Sequence, residues 1–105
     1  MTSFDKRQEG FEKKFALDEE QAFKATARRN KLLGLWAAEK LGKSGADADA
    51  YAKEVVASDF EEAGDDDVLR KVAGDLAGKG VSEQDIRQKM DQLLPEAVAQ
   101  IKAGN

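Results

Sequence analysis

The sequence lacks both cysteine and histidine, and these two absences exclude several classes of site. Without cysteine there is no disulfide, zinc finger, iron–sulfur cluster or thiol nucleophile. Without histidine there is no Ser-His-Asp triad, no imidazole acid or base, and no usual transition-metal site. We therefore expect a protein that binds a partner and is not an enzyme, with no catalytic residues, no metal and no cofactor. The absence of disulfides is typical of a reducing cell interior.

Long apolar runs are missing as well. No segment approaches the roughly 20 apolar residues that span a bilayer. The first residues include Asp5, Lys6 and Arg7 but no apolar stretch of the kind found in secretory signals. We expect a soluble, cytoplasmic protein without direct membrane insertion. Its 105 residues suffice for one domain with one modest core.

Charge is unevenly distributed along the chain. The net charge is −4, but residues 21–43 carry a net of +5 and residues 44–67 a net of −8. Such asymmetry indicates either that the two segments face each other or that they bind partners of opposite charge. The alternative is two solvated faces that happen to be adjacent in sequence. A net negative chain argues against nucleic-acid binding.

Helical periodicity predicts an all-α fold. Apolar residues recur about every 3.6 positions over residues 18–41, 47–63 and 66–77, and again after Ser82. Short connections that contain glycine favour a four-helix bundle with antiparallel neighbours. The only proline, Pro95, predicts a bend in the last helix. The predicted core comprises Leu33, Trp36, Val55, Phe60, Leu69, Val72, Leu76, Ile86, Met90, Leu93 and Val98.

Local motifs refine the predicted helix ends. Ser82 and Asp85 have the spacing of a capping box, in which each side chain accepts a hydrogen bond from the other residue's backbone. Ser44 and Asp47 have the same spacing at the start of the second segment. Gly34 weakens the first helix but permits close approach of a neighbour. We expect these positions to define how the helices begin and pack.

Residues 1–17 differ from the rest and are predicted to form a mobile arm, disordered or a nascent helix when free. Phe4, Phe11 and Phe15 are spaced by seven and four residues, so a helix would place them on one side. The remaining residues are largely charged, and so short an isolated helix is marginal in water. Three aromatic anchors for a partner fit this pattern. The alternative is that Phe11 and Phe15 extend the first helix into the bundle.

A basic cluster is the remaining candidate site. Arg28, Arg29 and Lys31 precede Trp36, and together they are a weak candidate for contact with a nucleotide or phosphate such as ATP or ADP. The simpler interpretation is pairing with the acidic second segment. The carboxylates of residues 61–67 are better explained as helix-capping and solvated groups than as a catalytic or metal-binding set.

Several stretches resemble one known family. Residues 27–39 strongly resemble the zeta subunit of bacterial F-type ATP synthases, an ATPase-inhibitor family formerly described as a domain of unknown function. Residues 4–20 look like the N-terminal inhibitory stretch of that family. Shorter matches occur at residues 50–53, 63–68 and 85–90. The resemblance covers nearly the whole chain in the same order and spacing.

The resemblance implies a four-helix bundle over residues 18–105 with a mobile inhibitory arm. It also implies that the arm inserts as a helix into the catalytic head of the synthase, between catalytic subunits and the central rotor. Rotation in the hydrolysis direction would then be blocked. The protein would be peripheral to the inner membrane through the synthase. The resemblance also implies that residues of the arm bind the partner. These residues are Phe4, Arg7, Phe11, Lys14 and Phe15; the aromatic rings would be buried anchors and the cations would make charge contacts.

One position departs from the family pattern, and two other functions stay open. Leu17 stands where many members carry histidine, so the arm lacks a titrating group there. The alternatives to an inhibitor are a weak nucleotide-binding or sensing module and a structural adaptor bundle. The charge cluster before Trp36 motivates the first of these, and the predicted bundle motivates the second.

Overall fold

A computed structural model describes residues 15, 17–59 and 66–104 of the chain. Over these residues the chain forms four α-helices and no strand: α1 (Glu19–Lys40), α2 (Gly45–Ser58), α3 (Asp66–Asp75) and α4 (Glu83–Lys102). The predicted all-α, four-helix fold is confirmed. The predicted arm lies almost entirely outside the described residues, so its extent to residue 17 stays a prediction.

The first helix, α1, is central because it packs along both α2 and α4. The shortest helix, α3, lies against α2 and α4. Arg28 in the first half of α1 donates a hydrogen bond of 2.7 Å to Gln100 near the end of α4. Near the start of α4, the Lys89 ammonium lies 6.0 Å from the ring centre of Trp36. The first half of α1 therefore contacts the end of α4, and the second half of α1 contacts the first half of α4. The two helices are antiparallel.

The start of α1 follows from a local motif. The Asp18 carboxylate accepts a 2.8 Å hydrogen bond from the backbone N–H of Gln21, and the Gln21 side chain accepts one from the backbone of Asp18. Two of the backbone donors that a helix start leaves open are thereby satisfied. At the other end, Gly42 follows the helix with a φ of 77°, a left-handed conformation that suits glycine.

The start of α2 differs from the prediction. The helix begins at Gly45 after Ser44, but the Ser44 hydroxyl makes no capping hydrogen bond, so the predicted capping box is wrong. The backbone N–H of Asp47 donates instead to the Ser44 carbonyl, at 3.2 Å. The helix ends at Ser58, whose hydroxyl donates to the Val55 carbonyl at 2.7 Å. The predicted continuation over residues 60–63 lies outside the described residues.

The start of α4 confirms its prediction. Ser82 and Asp85 exchange hydrogen bonds of 3.0 Å in each direction, which completes the capping box. The preceding Val81 packs against the core, and Ile86 on the first turns is fully buried. Pro95 lies inside α4, which continues through it. The predicted bend at Pro95 stays a prediction.

The apolar side chains form two clusters. The main core contains most of the predicted residues: Leu33, Val55, Leu69, Val72, Leu76, Ile86, Met90 and Leu93. It also takes in Ala37, Ala38, Tyr51 and Val68, which the prediction left out. Trp36 packs only at the edge of this core and is half-buried, whereas Val98 belongs to the second cluster. Phe60 lies outside the described residues.

Candidate partner-binding site

The second cluster, called here the end cluster, joins the start of α1 to the last turns of α4. Its buried members are Leu17, Ala22, Ala25 and Val98, and Phe15, Leu94 and Ile101 pack against them. The Lys102 ammonium donates a 2.6 Å hydrogen bond to the carbonyl oxygen of Phe15. The chain entering α1 is therefore held to α4 by apolar packing and by one charge-assisted hydrogen bond.

The end cluster bears directly on the predicted arm residues. Phe4, Arg7, Phe11 and Lys14 lie outside the described residues, and Phe15 is the one that the structure places. Phe15 is half-buried in the end cluster. Phe15 thus contributes to the packing of the bundle, and its contact with a partner stays a prediction.

The basic cluster of α1 is divided between the interior and the surface. Arg29 is only 5% exposed and Asn30 is fully buried. The Arg29 Nε donates a 2.9 Å hydrogen bond to the Asn30 Oδ1. Among the described residues, the Asn30 amide nitrogen finds no hydrogen-bond partner, which is unusual for a buried polar group. Sequence reasoning placed Arg29 in a surface cluster and assigned no role to Asn30.

The other candidates lie in separate places. Lys31 is exposed, on the side of α1 nearly opposite Arg29, because two residues on a helix differ by about 200°. The ammonium groups of Lys40 and Lys89 lie 5.8 and 6.0 Å from the ring centre of Trp36. The four predicted residues therefore do not form one patch. A contact with nucleotide or phosphate stays a prediction.

Two open hollows on the outer face of α1 and α2 bring Arg28 and Lys31 together with two further cations, Lys24 and Lys53. They have volumes of about 600 and 490 Å³ and share Lys31 and Val56. We call the combined surface the basic groove. Its lining includes the cations Lys24, Arg28, Lys31 and Lys53 and the apolar residues Phe23, Val56 and Ile101.

A charged cluster on the other side of α2 connects that helix to α3. The Tyr51 hydroxyl donates a 2.8 Å hydrogen bond to Asp75, and the Lys71 ammonium lies 3.1 Å from the same carboxylate and 3.6 Å from Glu54. Burial raises the pKa of the Tyr51 phenol well above its usual value. The hydrogen bond to Asp75 and the negative charges of Asp75 and Glu54 raise this pKa further. These contacts link α2 to α3, and they provide no nucleophile for catalysis.

Comparison with known proteins identifies the family. A family model described as ATPase inhibitor subunit zeta matches residues 1–100. This chain belongs to the zeta family. The resemblance seen in residues 27–39 is thereby confirmed, and the family description makes the protein an ATPase inhibitor subunit. Inhibitor subunits are not typically catalytic, in keeping with the expectation of a binding protein.

A solved relative supports the fold of this zeta-family chain. A structure determined in solution by NMR is 59% identical to it, with a TM-score of 0.73. The alignment covers 79% of this chain and 96% of that one. No curated protein matches the chain.

Two further properties of the zeta-family chain concern membranes and metals. None of the helices in the described part is long and apolar enough to cross a membrane. Within the same part of the chain, no group of three acidic side chains is placed to hold a metal ion.

Proposed function

We propose that this protein inhibits ATP hydrolysis by an F-type ATP synthase and that its N-terminal arm is the inhibitory element. The arm inserts as a helix between the catalytic subunits and the central rotor and blocks rotation in the hydrolysis direction. The observation that carries this proposal is the family match, which begins at residue 1 and so includes the arm.

The composition of the arm supports insertion into a protein interface. Phe4 and Phe11 are apolar anchors seven residues apart. Seven residues make about two turns of a helix, so both rings would lie on the same side of a helical arm. Arg7 and Lys14 are also seven residues apart, so a helix would carry aromatic and cationic stripes. Aromatic and arginine side chains provide most of the binding energy in many interfaces.

The base of the arm suits a blocking element. An inserted helix stops a rotor only if its own base does not move with the rotor. The packing of Phe15 in the end cluster and its hydrogen bond from Lys102 attach the base of the arm to the bundle. Force on the arm would therefore be transmitted to the folded domain.

An ATPase assay on the cognate catalytic head tests the proposal. We would compare the full chain with a variant that lacks residues 1–14, which keeps Phe15 and Leu17 in the end cluster. A second variant, Phe4→Ala with Phe11→Ala, retains the full length. Both should lose most of the inhibition, whereas Gln8→Ala, a polar change in the same segment, should retain it. Thermal unfolding of each variant checks that the bundle stays folded.

Full inhibition by the shortened chain would overturn the role of the arm. Tight binding of the wild-type chain to the catalytic head without any effect on hydrolysis would favour the adaptor bundle instead. We propose in addition that the protein is cytoplasmic and reaches the inner membrane only through the synthase.

A further inference from the structure

Two cations of the basic groove, Lys31 and Lys53, have no ion-pair partner in the part of the chain that the structure describes. Among the described residues, no carboxylate lies within ion-pair distance of Lys31 or Lys53, although Asp49 lines the same hollow. Lys24 pairs with the exposed Glu20, at 3.1 Å. By contrast, Lys71 on α3 lies near two carboxylates. This local cationic surface is complementary to an acidic partner.

The groove also presents apolar surface between these cations. Phe23 is 53% exposed, and Val56 and Ile101 line the same hollow. A phosphate chain would use the cations but not the apolar residues. A protein segment that carries both carboxylates and apolar side chains fits both parts of the lining.

The position of the groove connects it to the arm. Ile101 lines the groove and also packs in the end cluster, where Phe15 enters the bundle. A partner held by the arm would therefore lie beside the groove. Two linked contacts on one partner bind more tightly than either alone, because the second contact forms at a high effective concentration.

We infer that the basic groove is a second docking surface, for an acidic amphipathic segment on the outside of the catalytic head that the arm inhibits. This inference rests on the proposed function. The groove holds the bundle on the head through charge and apolar contact, while the arm acts on rotation. Binding through the groove is salt-dependent and makes little contribution to the block itself.

The test measures binding and inhibition separately, with the purified catalytic head and full-length protein. The groove variant is Lys31→Glu with Lys53→Glu, and its matched control is Lys43→Glu with Lys79→Glu, two exposed lysines outside the groove. The arm variant is Phe4→Ala with Phe11→Ala. Dissociation constants are measured at about 50 and about 200 mM salt. A Lys31→Arg with Lys53→Arg variant preserves the charge.

We expect the groove variant to bind at least about tenfold more weakly at low salt and to show a smaller salt dependence. Saturating concentrations should still inhibit. The control and the arginine variant should bind within about twofold of the wild type. The arm variant should retain part of the binding but lose inhibition.

The two proposals fail in distinguishable ways. If the wild type binds and inhibits, and the groove variant binds as tightly as the wild type, docking through the groove is overturned. The proposed role of the arm is then unaffected. No binding of the wild type to the head would overturn both. A dimer of the free chain that the groove variant dissociates would assign the groove to a second copy. If the amide signals of Lys31 and Val56 shift in the free arm variant relative to the free wild type, the groove is occupied by residues 1–14 of the same chain. Either of these last two results would overturn the inference that the groove binds the catalytic head.

Discussion

Gly34 on α1 faces the backbone of Ala52 on α2 so closely that a Cβ at Gly34 would lie 2.6 Å from the Ala52 Cα. The same Cβ would lie 3.3 Å from the Cβ of Val55. The two helices therefore touch along their backbones at this point. A contact this close requires glycine for its lack of a side chain and explains why the first helix tolerates a weak helix former.

Replacing Gly34 with alanine should destabilise the bundle. Alanine improves helix propensity by about 1 kcal/mol, but forcing α1 and α2 apart costs about 1–3 kcal/mol. We expect the free energy of unfolding in urea to fall. Gly74→Ala is the matched control, since Gly74 lies in α3 with no atom near the new Cβ, and it should stabilise the protein slightly. If Gly34→Ala and Gly74→Ala raised the free energy of unfolding equally, the close packing of α1 on α2 would be contradicted.

Tyr51 should make stability depend on alkaline pH. Its folded pKa is raised above the unfolded value near 10, so the folded state keeps the phenolic proton to higher pH. This contribution is complete below about pH 10 and is lost as the pH rises from there toward the folded pKa. Urea unfolding at about pH 9 and about pH 11 should show a steeper loss for the wild type than for Tyr51→Phe.

The absorbance of phenolate checks the same point directly. Tyr51 is the only tyrosine, so any phenolate signal belongs to it. The folded protein should form little phenolate at a pH where the urea-unfolded chain is ionised. At neutral pH, Tyr51→Phe should cost about 1 kcal/mol through the lost hydrogen bond to Asp75. Titration of folded Tyr51 near pH 10 would disprove the interpretation.

The two serines that precede helices should respond differently to alanine. Ser82→Ala removes an observed capping hydrogen bond and should lower the free energy of unfolding by about 1 kcal/mol. Ser44→Ala removes a hydroxyl that makes no such bond and should cost less than about 0.5 kcal/mol. Thermal unfolding of both variants in parallel measures the difference. Equal losses would mean that Ser44 caps α2 in solution.

Phe15 should contribute to the stability of the bundle. Removing a buried phenylalanine side chain costs about 3–5 kcal/mol, and Phe15 is half-buried, so Phe15→Ala should cost about 1–2 kcal/mol. Lys102→Met, which removes the hydrogen bond to the Phe15 carbonyl, should cost less. Urea unfolding gives both values. Wild-type stability of Phe15→Ala combined with lost inhibition would assign Phe15 to the partner instead.

Motifs that are complete within a few residues were predictable. The capping box of Ser82 and Asp85 depends on backbone and side-chain atoms three residues apart. Ser44 and Asp47 have the same spacing, yet the Asp47 N–H selects the Ser44 carbonyl over its hydroxyl. Spacing alone therefore does not decide which of the two motifs forms its side-chain hydrogen bonds.

Burial of polar residues was not predictable from residue type. Arg29 and Asn30 read as part of a solvated basic cluster, but α1 packs between α2 and α4, so an unusually wide face of it is covered. For the same reason the cations that share a surface are Lys31 of α1 and Lys53 of α2, which are far apart in sequence. Helix periodicity in one segment carries no information about such neighbours.

The sequence by itself determined the helical class, most helix starts and the family, because periodicity, caps and ordered motifs are local features of the chain. The tertiary structure decided which side chains meet: Gly34 with Ala52, Phe15 with the end of α4, and the cations of the basic groove with one another. These contacts join residues distant in sequence, and only the packing of whole helices brings them together.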